Sequence, residues 1–184
     1  MKREKLFYAV AFTLLAVALV LTLWYKRPLD IQQITGVTEP KEISVFLFRR
    51  DGDTDLEERM LSLSAGDEGF DPLLARLEEI RFRRPPTNLI RIALPFSGLP
   101  EIYADEETKE AEDGEFQSLT LYLSGTDESG ESVSGKVTFE VDQWQYRNFD
   151  RRVTLNLAVT DSKATGQALC AELWEMAQPV ESNS

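Results

Sequence analysis

Residues Leu6 to Tyr25 read LFYAVAFTLLAVALVLTLWY, a run of 20 residues in which only Thr13 and Thr22 are polar and none is charged. At about 1.5 Å of rise per residue, such a run makes a helix of about 30 Å, the thickness of the hydrocarbon core of a bilayer. Inside lipid every backbone amide must be satisfied within the segment, so a continuous helix is the one structure open to it. The two threonine hydroxyls can bond back to carbonyls one turn earlier and cost little. Trp24 and Tyr25, followed by Lys26 and Arg27, have the ring-then-base order of a membrane border. The sequence therefore predicts a partner before it predicts a fold: the lipid bilayer, entered through residues 6–25.

A cleaved signal peptide would have a shorter apolar stretch and small residues at its end. Here the run closes on Leu23-Trp24-Tyr25-Lys26-Arg27-Pro28, which is bulky and charged. A lipoprotein signal would place a cysteine just after the run, and the single cysteine is Cys170. A pilin-type leader would need a glycine before the run and a glutamate shortly inside it, and neither is there. An uncleaved signal anchor is the expectation, with residues 1–5 cytoplasmic. Three bases flank the run on that side and two on the other, so the balance of Lys and Arg tips the orientation only slightly. The expected localisation is the cell membrane, single-pass, with the C-terminal domain extracytoplasmic.

The charge of the rest narrows its chemistry. The 184 residues carry 20 Lys and Arg against 32 Asp and Glu. Beyond Arg27 the 157 remaining residues hold 15 bases and 31 acids, a net of −16. So acidic a surface argues against nucleic acid as a partner, because phosphate contacts need clustered positive charge. With no histidine, triads, imidazole acid–base catalysis and His-ligated metals are excluded. One cysteine excludes an internal disulfide and a Cys-cluster metal site. No cofactor and no metal is predicted.

The predicted organisation is a juxtamembrane linker over 26–42, a domain over 43–179 and a tail over 180–184. Ile43 to Phe48 is apolar at nearly every position, as in a strand buried on both sides. Further strands are expected near Arg59–Ser64, over Asn88–Phe96, around Leu119–Leu123 and Val137–Val141 as a hairpin, and over Val153–Val159. Asp71 followed by Pro72 reads as the N-cap and first turn of one helix, with Leu73, Leu74, Leu77 and Ile80 on its apolar face. A second helix begins near Asp161 or Ser162 and buries Leu169, Cys170, Leu173, Trp174 and Ala177. The fold class is α+β: a single N-terminal transmembrane helix, then a mainly antiparallel sheet with two packed helices.

Few features carry chemistry. Asp51-Gly52-Asp53-Thr54-Asp55 has the alternating acids of a calcium loop, but Leu56 and Ser62 stand where that loop needs glycine and glutamate, so a hairpin turn is expected. Residues 105–115 hold seven acids and one base, the composition of a solvated mobile loop. Of the domain's 15 bases 11 are arginines, and nine of them stand in four groups: Arg49 and Arg50, then Arg81, Arg83 and Arg84, then Arg91, then Arg147, Arg151 and Arg152. Gathered on one face they would bind an anion or an acidic partner, since the guanidinium fork fits carboxylate and phosphate. Dispersed, they would pair with the domain's own acids. Trp144 and Tyr146 lie among polar residues and are candidates for an aromatic surface, or else for the cap of a core.

These features predict a membrane-anchored extracytoplasmic interaction domain, not an enzyme, that binds an envelope protein or polymer. A module for anionic polymers or divalent ions is the first alternative. A carboxylate-dependent glycosidase is the second, since such chemistry needs only two suitably spaced acids.

Overall fold

The apolar run forms a single helix, α1 (Lys2–Tyr25), and its large apolar side chains from Phe7 to Trp24 are 50–70 % exposed. Thr13 and Thr22 donate to the carbonyls of Ala9 and Ala18 at 2.9 and 2.8 Å, as expected of hydroxyls in an apolar helix. The computed structural model describes residues 2–52, 55–85, 110–148 and 153–180. The expected strand at Asn88–Phe96, Arg91, Arg151 and Arg152 lie outside the described residues.

After α1 come α2 (Ile31–Thr35), β1 (Glu39–Asp51), β2 (Asp55–Ser64), α3 (Phe70–Glu79), β3 (Phe82–Arg83) and β4 (Phe116–Thr126). They are followed by β5 (Ser132–Glu140), β6 (Gln143–Asn148), β7 (Val153–Val159), α4 (Ser162–Met176) and β8 (Gln178–Pro179). The described strands form one antiparallel sheet in the order β3-β7-β6-β5-β4-β1-β2-β8. The chain is α+β, with one N-terminal apolar helix and a large antiparallel sheet carrying helices.

The sheet has a buried face and an open one. Ile43, Val45 and Leu47 of β1, Leu119, Leu121 and Leu123 of β4, and Val137 and Phe139 of β5 are each 2 % exposed or less. Helices α2 and α4 cover this face. Phe46 and Phe48 on the reverse side of β1 are only half-buried, because no described helix packs there. The expectation that β1 is buried on both sides therefore fails. Its unbroken apolar run serves two environments, a sealed core and a partly wet surface.

Residues 26–42 are not a linker. Asp30 and Gln33 form a capping box: the Gln33 amide donates to Asp30 Oδ1 at 2.8 Å, and the Asp30 amide donates to Gln33 Oε1 at 3.3 Å. Gly36, at φ 78°, closes α2 in the left-handed conformation. Ile31 and Val37 are buried in the core, and Leu29 exchanges backbone hydrogen bonds with Phe82 at 2.8 Å in both directions. Helix α2 can approach β5 closely because Gly135 lies beneath Thr35, where a Cβ would stand 2.6 Å from Thr35 Cγ2.

Helix α3 starts at Phe70 with Gly69 as its N-cap, so Asp71 and Pro72 sit inside the first turn. Burial of Phe70, 3 % exposed, draws the helix start back. Asp71 still sits at the positive end of the helix dipole.

Candidate functional site

The end of α1 does not hang free of the domain. Tyr25 is 8 % exposed, and its hydroxyl donates to the Pro85 carbonyl at 3.3 Å. The expectation that Tyr25 anchors at a membrane border is corrected: its ring is turned into the domain, whereas Trp24 is 53 % exposed. The Arg84 guanidinium lies 5.3 Å from the Tyr25 ring centroid and 5.8 Å from that of Trp24, and the Arg27 guanidinium lies 5.3 Å from that of Trp24. Beside Arg84 a cavity of about 70 Å³ opens between Leu29, Ile34, Tyr146 and Leu155. Arg84 Nε is fully covered and has no hydrogen-bond partner among the described residues.

Backbone register explains this gathering. The antiparallel bridge Leu29↔Phe82 brings Asp30 near Arg81 and brings the Lys26–Arg27 turn and Arg84 to the end of α1. The first pairing is an ion pair at 3.7 Å. The second gathers two cations about one Trp24 ring.

The other expected clusters behave differently. Arg49 and Arg59 both hold Glu57, at 2.7 and 3.1 Å, and both lie over the ring of Trp174, at 4.6 and 4.3 Å. Burial pushes the Glu57 carboxyl up, but hydrogen bonds from Arg59 and Arg49 and their charges together hold it below its ordinary 4.5. Arg50 pairs with Glu110 at 2.7 Å. Arg147 is exposed on the open face of β6, opposite Lys136 and Thr154. From β3 to β1 is five strand spacings, about 24 Å. Arg49 and Arg50 therefore do not join Arg81, Arg83 and Arg84 on one face.

Trp144 and Tyr146 are 2 % and 6 % exposed, so they form no aromatic surface. Alternation along β6 sends them to the core and Gln143, Gln145 and Arg147 outward. Trp144 packs on Phe82 and Phe139 at ring distances of 5.4 and 5.1 Å, and its Nε1 donates to the Ser162 carbonyl at 3.4 Å. The sequence signal was available, since Trp144 and Tyr146 are two residues apart.

The described end of the acidic segment is pinned. The Gly114 amide donates to the Arg50 carbonyl at 3.0 Å, Asp113 accepts from the Gly52 amide at 2.7 Å, and Ala111 is buried. Among the described residues no three carboxylate or thiol side chains gather to hold a metal ion. Cys170 is fully buried, and burial pushes its thiol up to about 12.

On the open face, Phe46 and Tyr122 meet edge to face at 5.9 Å, Met60 stands opposite Phe46 in the register, and Lys136 lies 5.8 Å from the Tyr122 ring. Leu56 near the tip of the β1–β2 hairpin is 55 % exposed. Aromatic and methionine side chains of this kind are enriched where proteins meet.

No protein-family model matches this chain, and no curated protein and no solved structure matches it.

Proposed function

We propose that the chain is a single-pass membrane protein whose domain lies outside the cytoplasm and binds an envelope protein or polymer, without catalysing a reaction. The observation that carries this reading is the contrast along α1. Every described position from Phe7 to Trp24 is exposed, whereas Tyr25 is buried in the domain. Apolar surface of that extent on a soluble chain would drive association, and a bilayer covers it. The helix is long and apolar enough to cross, over Phe7–Tyr25.

Phe46, Tyr122, Met60 and Leu56 on the open sheet face are the residues through which a protein partner would be held. A membrane anchor confines such a domain to two dimensions and raises its effective concentration toward other envelope components.

Intact cells carrying the full chain would be treated with a membrane-impermeant amine-reactive crosslinker, which reaches Lys41, Lys136 and Lys163. A specific crosslinked envelope component, lost on Phe46→Ser/Met60→Ser substitution, supports the reading. Labelling of these lysines only after lysis would place the domain in the cytoplasm and overturn it.

A further inference from the structure

We propose that Arg27 and Arg84, with Lys26 and Arg83 beside them, form a basic collar at the foot of the domain that binds the phosphates of anionic phospholipid headgroups. The inference rests on the reading of α1 as a membrane span. It says more than that reading does: the domain sits on the bilayer in a fixed pose and selects its lipid neighbours.

The first argument is an imbalance of charge. Arg49, Arg50, Arg59, Arg76 and Lys163 each hold a carboxylate at 2.7–3.1 Å. Lys26, Arg27, Arg83 and Arg84 hold none among the described residues, although the domain has twice as many acids as bases. Arg81 reaches Asp30 only at 3.7 Å.

The second is depth. Arg27 and Arg84 both stack on Trp24, and tryptophan at the end of a span sits at headgroup level. A guanidinium stacked on a ring leaves its N–H edge free, and that edge fits two phosphate oxygens.

The third is the register. The Leu29↔Phe82 bridge brings the two segments together, so that Arg27 and Arg84 lie 5.3 and 5.8 Å from the same Trp24 ring centroid, and like charges gathered in this way repel. A phosphate between them turns that repulsion into two attractive contacts.

The pose follows from the same contacts. Tyr25 is held by Pro85 and Arg84, and Leu29 is bonded to Phe82, so α1 enters the domain with three residues of slack. The β3 edge of the sheet therefore faces the membrane, and the β2–β8 edge points away from it.

The test uses the full chain reconstituted in phosphatidylcholine vesicles, with brominated phosphatidylglycerol or brominated phosphatidylcholine added as the quencher of Trp24 fluorescence. Trp144 and Trp174 are buried in the domain and supply a constant background. The expected result at low salt is a preference of about 25-fold or more for phosphatidylglycerol over phosphatidylcholine. It falls about fivefold for each arginine neutralised in Arg27→Gln and Arg84→Gln, and collapses at 1 M salt, where the Debye length is about 3 Å. Lys41→Gln, which removes a base far along the sheet, leaves it unchanged. Equal quenching by the two lipids in the wild type, or a preference that survives 1 M salt, overturns the collar even should the arginine variants fail to fold. Quenching by neither lipid overturns the anchor itself, and the collar with it.

Discussion

Gly166 of α4 lies directly against the ring of Phe139 in β5, so closely that a Cβ built on the glycine would overlap the ring edge. The ring cannot swing aside freely, because it is fully buried and packed on Trp144 at 5.1 Å. Gly166→Ala tests whether this contact sets the height of α4 above the sheet. Helix propensity alone would favour alanine by about 1 kcal/mol. Overpacking of a closed core costs about 1–3 kcal/mol, so a net loss of up to about 2 kcal/mol is expected in urea unfolding. A gain in midpoint would show that helix and sheet are free to separate.

Trp144→Ala is expected to cost about 3–5 kcal/mol, the usual loss for a buried aromatic. It removes the ring that joins Phe82 to Phe139 and so links strand β3 to the core. A variant with unchanged thermal stability would mean that this ring is on the surface after all.

Stability should fall with acid through Glu57. Its carboxyl is held below 4.5 in the folded chain, so folding is favoured above the unfolded value and the gain is lost as pH drops from 4.5 through the folded value. Glu115, lowered by its hydrogen bond from Lys163 against the opposing effect of burial, acts in the same direction. Urea midpoints measured from pH 7 down to pH 3 should decline most steeply below pH 4.5. Glu57→Gln should be less stable at pH 7 and show a shallower decline. Parallel curves for the two proteins would remove Glu57 as a source of the acid sensitivity.

Cys170 should be inert while the chain is folded. A thiol pushed up to about 12 by burial is ionised in roughly one molecule in 10⁴ at pH 8, and reagent cannot reach it. Reaction with a chromogenic disulfide reagent should be complete within minutes in 8 M urea and slower by orders of magnitude without it. Fast labelling of the folded chain would mean that α4 opens readily from the sheet.

Helical character of residues 6–25, most of the strands and the α4 stripe were legible because each depends on periodicity within one short segment. Leu119, Leu121 and Leu123 alternate, and alternation needs no partner to be read. Even the capping box of Asp30 and Gln33 was written in the sequence, though the prolines around it read as a linker.

What the sequence by itself determined is local: an apolar helix of membrane length, a strand-rich acidic domain, and the absence of histidine chemistry. Which bases pair and which remain open was decided by tertiary structure alone. Arg49 meets Glu57 because β1 and β2 pair in one register, and Arg59 reaches the same carboxylate from two residues along β2. Arg84 meets Trp24 and Tyr25 because Leu29 bonds to Phe82, a contact between residues 53 positions apart. Coulomb energy depends on distance in space, which composition does not contain.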